Sequence, residues 1–425
     1  MLKQKVSERF KARREQLMKL DEDACFIFFG SEEIIRNNDA HFLFRQNSSF
    51  HYLTEFDEPG AALVLSGGKT HLFVLDRDES REIWDGERYG VGRARDVFGV
   101  DESHSIRDLY KKLPEFFKTS TKVFYQLCDS TREDSPIRDQ KILKTLHESI
   151  SLQGKGSLPI FDPTPHLAEL RMLKDESEIA LIRKACSVSA RAHAHALKVV
   201  RAGMNEFEVA SEIQYFMQKN GLREWGYTPI VASGLNVTTL HYVKNNEILK
   251  DGDLVLVDAG GENELYTADI TQTFPVGKNF SVNQKKVYEK VLEVNREIIA
   301  ITKPGISYRF LHLEATRLLT ESLKSLGVPL PEKESHRKYF PHGLGHYLGL
   351  DVHDIGKYQE QGKDYLLKSG MMMTNEPGLY FRGNETAYHG IGVRIEDDLL
   401  ITANGCENLT QELPRGVDEI ESYRN

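Results

Sequence analysis

Short apolar runs set the rhythm of the first third of the chain. CFIFFG at 25–30, AALVL at 61–65 and HLFVL at 71–75 alternate with polar stretches and predict strands. Helical spacing is expected near 105–117 and 139–150. The stretch SLQGKGSLPIFDPTPH, 151–166, concentrates Gly and Pro and marks a boundary between a domain at 1–165 and one at 166–425. Beyond it the pattern turns helical. Asp175 and Glu178 have capping-box spacing, followed by a periodic run through Ile179, Ile182, Cys186 and Ala190 towards Gly203. Asn205 with Glu208 repeats the start signal, and Asn220-Gly221 ends that helix. Two more helices are expected at 281–302, before Pro304-Gly305, and at 307–326, before Gly327. Strand-like stretches lie between and after them. The fold class is α+β, a mixed α/β domain followed by a second α+β domain.

A length of 425 residues is more than one core ordinarily fills, in keeping with two domains. A net charge of −9 argues against a nucleic-acid partner, which wants a basic face. No apolar run reaches the roughly 18 residues of a membrane span. The four cysteines, Cys25, Cys128, Cys186 and Cys406, are scattered, the pattern of reduced thiols in a cytoplasmic protein. The basic run from Lys3 to Lys19 is interrupted by Glu8 and Glu15, so it reads as a solvated first helix and not a mitochondrial presequence.

The second half carries the chemistry. An apolar run, Leu254 to Val257, ends at Asp258, and the strand-like segment Tyr266 to Phe274 contains Asp269. A hairpin turning about Asn263-Glu264 would set the two carboxylates face to face, about 4.5–5.5 Å apart at Cβ, close enough to share two ions. The plainer reading is two Asp residues flanking an ordinary turn. In PHGLGHYLGLDVHD, His342 and His346 are four apart, but Gly343 stands where HExxH needs its Glu, and three glycines disfavour a helix. A looped backbone is expected there, with Asp351 and His353 sharing one strand face further on. In GVRIEDD, Val393 and Ile395 would point to a core, leaving Arg394, Glu396 and Asp398 on the opposite face. TNEPGLY supplies Glu376. Each motif alone could be a turn or a solvated strand face. Jointly, Asp258, Asp269, His346, Glu376 and Glu396 read as ligands for two metal ions. Four carboxylates and one imidazole suit Mn²⁺, Fe²⁺ or Co²⁺ better than a structural zinc.

These motifs, in this order, resemble the metalloexopeptidases of pita-bread fold, and within them aminopeptidase P, the Xaa-Pro aminopeptidase. The resemblance also takes in FRQNSSFHYLTEFDEPGAALVL at 44–65, EIWDGERYG at 82–90, ELRMLKDESEIALIRKA at 169–185 and LHY at 240–242. It implies release of the first residue from peptides with proline in second place. It further implies Asp258 on one ion, Asp269 and Glu396 bridging both, and His346 and Glu376 completing the shells. The cofactor would be Mn²⁺, with Co²⁺, Fe²⁺ or Zn²⁺ as alternatives. A water or hydroxide between the ions is then the nucleophile. Glu376 is the implied general base, and His241, His342, His353 and Arg394 handle substrate, oxyanion or protons. Tyr380 lines the site, and Trp84 reaches a neighbouring subunit of a homo-dimer or homo-tetramer. The rival within the family is prolidase, confined to Xaa-Pro dipeptides. The rival of another class is a non-catalytic peptide-binding relative, which would have lost ligands.

Overall fold

The computed structural model describes residues 8–129, 135–151, 158–330, 332 and 335–424. Part of the 151–166 stretch and the first seven residues lie outside that set. The chain divides into two compact units, Met1–Leu170 and Arg171–Asn425.

The amino-terminal unit is built on the predicted apolar runs. Its elements include α1 (Glu8–Leu20), β1 (Ala24–Phe29), β2 (Ala62–Ser66), β3 (Lys69–Val74), α2 (Glu79–Asp85), β4 (Glu102–Ser105), α3 (Leu109–Thr119), β5 (Lys122–Phe124), α4 (Ser135–Ser151) and β6 (Ile160–Phe161). The six strands form one mixed sheet in the order β4-β3-β2-β1-β5-β6. Pairing is antiparallel at β1–β2 and β2–β3 and parallel elsewhere. Ile27, Val64 and Phe73 from the sheet pack on Leu113 and Phe117 of α3 and Ile142 and Leu146 of α4.

The first helix is not simply solvated. Arg13 and Arg14 are buried. Arg14 donates to the carbonyls of Leu53 at 2.9 Å and Gly99 at 2.7 Å. The Arg13 guanidinium lies 4.0 Å over the Tyr52 ring. Their charges are accommodated because the guanidiniums close off carbonyls at the C-terminal ends of the helices Ser48–Thr54 and Gly90–Phe98.

Glu58 is buried in the same unit, its Oε1 accepting the Tyr89 N–H at 2.7 Å. Burial pushes its carboxyl from 4.5 up to about 7. The folded unit therefore favours the protonated acid. Stability is fully present below the ordinary carboxyl range and is lost as pH rises through about 7. In urea titrations from about pH 5 to pH 8, Glu58→Gln should flatten this loss. Parallel pH profiles for both proteins would refute the assignment.

The second unit contains α5 (Glu176–Val199), α6 (Glu206–Lys219), α7 (Val282–Ile301) and α8 (Tyr308–Ser325). The capping boxes at Asp175/Glu178 and Asn205/Glu208 form as the spacing requires. Between and after the helices run β7 (Ile230–Ser233), β8 (Leu254–Asp258), β9 (Gly261–Asn263), β10 (Tyr266–Thr267), β11 (Thr271–Pro275), β12 (Met372–Asn375), β13 (Gly378–Tyr380), β14 (Gly392–Arg394) and β15 (Asp397–Ile401). One hydrophobic core joins Val255 and Val257 of β8 to Val287 and Val291 of α7, Leu319 of α8, and Val393 and Ile395. Among the described residues no helix is long and apolar enough to cross a membrane.

Candidate metal centre

Two interrupted antiparallel ladders place the acidic side chains. The first is the Asp258 hairpin. Its turn lies at Glu264-Leu265, both at positive φ, one residue beyond the expected position. Asp258 therefore faces Thr271, not Asp269. Moving the turn by one residue shifts the partner by two, which leaves the side chain on the same face. Asp269 thus lies diagonal to Asp258, in a break between β10 and β11 where the backbones close together. A Cβ on Gly260 would sit 1.9 Å from the Ala268 carbonyl oxygen, so only glycine fits there.

The second ladder pairs β12 with β15 and β13 with β14. Asn375 faces Asp397 and Gly378 faces Arg394, so Glu376 and Glu396 fall opposite one another in the gap between. The ladders join where the Glu396 N–H donates to the Thr271 carbonyl at 3.0 Å. His346 comes from a loop, held by its N–H on Thr374 Oγ1 at 3.1 Å. Asp351 and His353 lie in an irregular loop instead of a strand: Gly349 there packs against the Asp354 carboxylate too closely for a side chain.

Five side chains meet as a result. Asp269, His346 and Glu396 each offer a ligand atom within 4.8 Å of the others. His346 Nε2 lies 3.3 Å from Asp269 Oδ2 and 3.7 Å from Glu376 Oε1. Its Nδ1 faces the Tyr347 carbonyl at 3.1 Å, so that nitrogen carries the proton and Nε2 is the donor atom for a cation. Asp258 is tied to Arg394 and accepts the Tyr227 hydroxyl at 2.6 Å. All five line one cavity of about 540 Å³ together with His241, His342, His353 and Arg394.

The electrostatics describe a site short of positive charge. Burial, then neighbouring carboxylates, push Glu396 well above its usual range. Burial raises Asp258 against the pull of Arg394 and pushes Glu376 up to about 7. Burial would lower His346, but Asp269 and Glu376 outweigh it and hold the imidazole at about 9. Four carboxylates, three of them buried and Glu376 half-buried, with one guanidinium and one imidazole suit hard or borderline dications, which would neutralise them in place of protons.

Around this cup, Tyr380 accepts from Arg394 Nη1 at 3.2 Å and lies 2.9 Å from His342 Nε2. His342 Nδ1 faces the Gly343 carbonyl at 2.7 Å, so Nε2 accepts the Tyr380 proton. Burial and Arg394 push His342 down to about 3, which keeps it neutral. The His353 ring meets the His346 ring edge-on at 4.2 Å, and His241 stands exposed at the rim. Trp84 lies in the other unit, on α2, with 86% of its surface exposed.

Sequence reasoning missed two supports, Thr271 and Tyr227, and gave a third, Asp398, no role. Thr271 donates to Glu396 Oε2 at 2.6 Å, and Asp398 accepts the Asp269 N–H at 3.0 Å. Both sit two residues from a ligand candidate in a motif already singled out. Tyr227 sits in no such motif.

Residues 180–403 match the profile of metallopeptidase family M24, and residues 10–125 match the aminopeptidase P amino-terminal domain. The chain belongs to family M24. The Xaa-Pro aminopeptidase of Haemophilus influenzae is 37% identical over 98% of this chain and 97% of its own. That of Escherichia coli is 35% identical over 98% and 97%. Among solved structures, E. coli aminopeptidase P with the inhibitor Pro-Leu has a TM-score of 0.92 at 34% identity, covering 99% of this chain and 98% of that one. Pseudomonas aeruginosa aminopeptidase PepP has a TM-score of 0.93 at 36% identity, covering 99% and 98%. The M24 unit is a pita-bread domain, and the protein is a metallopeptidase of two-domain aminopeptidase P architecture.

Proposed function

We propose that the protein is a cytoplasmic Xaa-Pro aminopeptidase that works with two divalent ions, Mn²⁺ suiting the donors best. The observation that carries this is the convergence of four carboxylates and His346 in a chain similar over both units to enzymes of that name. Asp258 would hold one ion, Asp269 and Glu396 both, and His346 and Glu376 would complete the two sets. When bound, the ions polarise the scissile carbonyl and acidify water.

The chain's own residues do the rest. Glu376, in the cavity beside His342 and His346, is placed to take up and return a proton. Arg394 fixes Asp258 and, through Tyr380, the ring of His342. His241, His342 and His353 line the wall where peptide lies, with Leu240, Val243 and Val352 as its apolar surface. A proline in second place has no N–H to offer and a fixed φ, so recognition falls to that surface and to the acidic cup that takes the free amine. Trp84, exposed on α2, is available to the cleft of a neighbouring subunit in a dimer or tetramer.

After chelation the protein should cut neither Xaa-Pro-Xaa nor Xaa-Pro. Mn²⁺ should restore release of the first residue from the tripeptide, with the dipeptide the poorer substrate. Restored cleavage of the dipeptide alone would make it a prolidase. No cleavage despite normal metal uptake would make it a binding relative.

A further inference from the structure

A second set of convergent donors lies at the sheet edge of the amino-terminal unit. Strand β4 runs parallel to β3, with His71 paired to Glu102 and Phe73 to His104. Glu102 and His104 are two residues apart, so all three polar side chains share one face. His71 Nδ1 and His104 Nε2 are 3.4 Å apart. Glu102 Oε2 lies 3.7 Å from the former and 3.5 Å from the latter. One ligand atom from each residue falls within 4.8 Å of the others.

Packing fixes this geometry. The Phe116 ring of α3 rests 4.6 Å from the His71 ring, and Phe73 lies 4.9 Å from His104. The two imidazoles lie within 16° of parallel. Lys69 Nζ engages Glu102 Oε1 at 3.3 Å, leaving Oε2 turned towards the rings. The Glu102 side chain is 43% exposed, which gives an ion an approach from solvent. Burial lowers the pKa of both histidines, which favours uncharged rings, each with one nitrogen lone pair to offer a metal.

We propose that His71, Glu102 and His104 bind one borderline dication of the zinc class, independently of the carboxylate-rich centre. Two imidazoles and one carboxylate are a zinc donor set that leaves a fourth position for water. The M24 centre, with four carboxylates to one imidazole, is oxygen-rich by comparison. The two sites should therefore differ in metal preference.

The test counts zinc. Wild type, His104→Gln and Glu102→Gln are equilibrated with Zn²⁺, freed of excess and analysed for metal per chain. Wild type should carry one zinc more than His104→Gln. Glu102→Gln, altered only on the exposed side, should weaken that extra zinc by at least about tenfold. Peptidase activity after Mn²⁺ reconstitution should be alike in all three. If His104→Gln loses cooperative unfolding, Glu102→Gln alone decides. Equal zinc content and equal zinc affinity in wild type and Glu102→Gln would overturn the proposal.

Discussion

Asp269→Asn should lower kcat/KM on an Xaa-Pro-Xaa peptide by at least about 10³-fold, roughly 4 kcal/mol of transition-state stabilisation. The substitution keeps the shape of the side chain but removes a charge from the place where His346 Nε2 and Glu396 come together. An amide cannot bridge two cations as a carboxylate does, so metal content should fall with activity. The backbone should persist, because the Asp269 N–H remains free to donate to Asp398. Circular dichroism checks the fold and metal analysis checks the cause. Wild-type turnover at wild-type metal content would refute the bridging role.

Asp354→Ala should be the most damaging single change to the second unit's stability. The Asp354 carboxylate is buried against Lys174 Nζ at 3.0 Å and against Arg171, which also donates to Asp351 at 2.8 Å. Removing it takes the carboxylate from two buried cations at once, at a cost of about 3–5 kcal/mol. That is a large part of the 5–15 kcal/mol typical of a folded domain. The same loop carries His346 and His353, so kcat should fall along with the urea midpoint. An unfolding free energy within about 0.5 kcal/mol of wild type would show that the network is not holding the loop.

What the sequence disclosed, and what it hid, follows from the range of the interactions. Helix starts at Asp175 and Asn205 were readable because a capping box is local, set by residues three apart. The faces of Arg394 and Glu396 were readable because strand alternation is local too. The Asp258 register was misjudged because the turn uses Glu264 and Leu265 at positive φ, where Asn-Gly is the usual signal. Burial of Arg13 and Arg14 depends on carbonyls near residues 53 and 99, and no pattern within the first helix announces such partners. The LDVHD loop looked like a strand because its alternation is real, yet Arg171 and Lys174, far away in sequence, fix its conformation through Asp354. Tyr227 donates to Asp258 from an irregular segment and had no periodic signal to betray it.

On the proposed reading, donors from two broken ladders and one glycine-rich loop hold a pair of ions. Anomalous diffraction from Mn²⁺-loaded crystals tests it most directly. Two peaks about 3.5–4 Å apart, enclosed by Asp258, Asp269, His346, Glu376 and Glu396, are the expected result. Peaks elsewhere, with these five side chains contacting none, would contradict it.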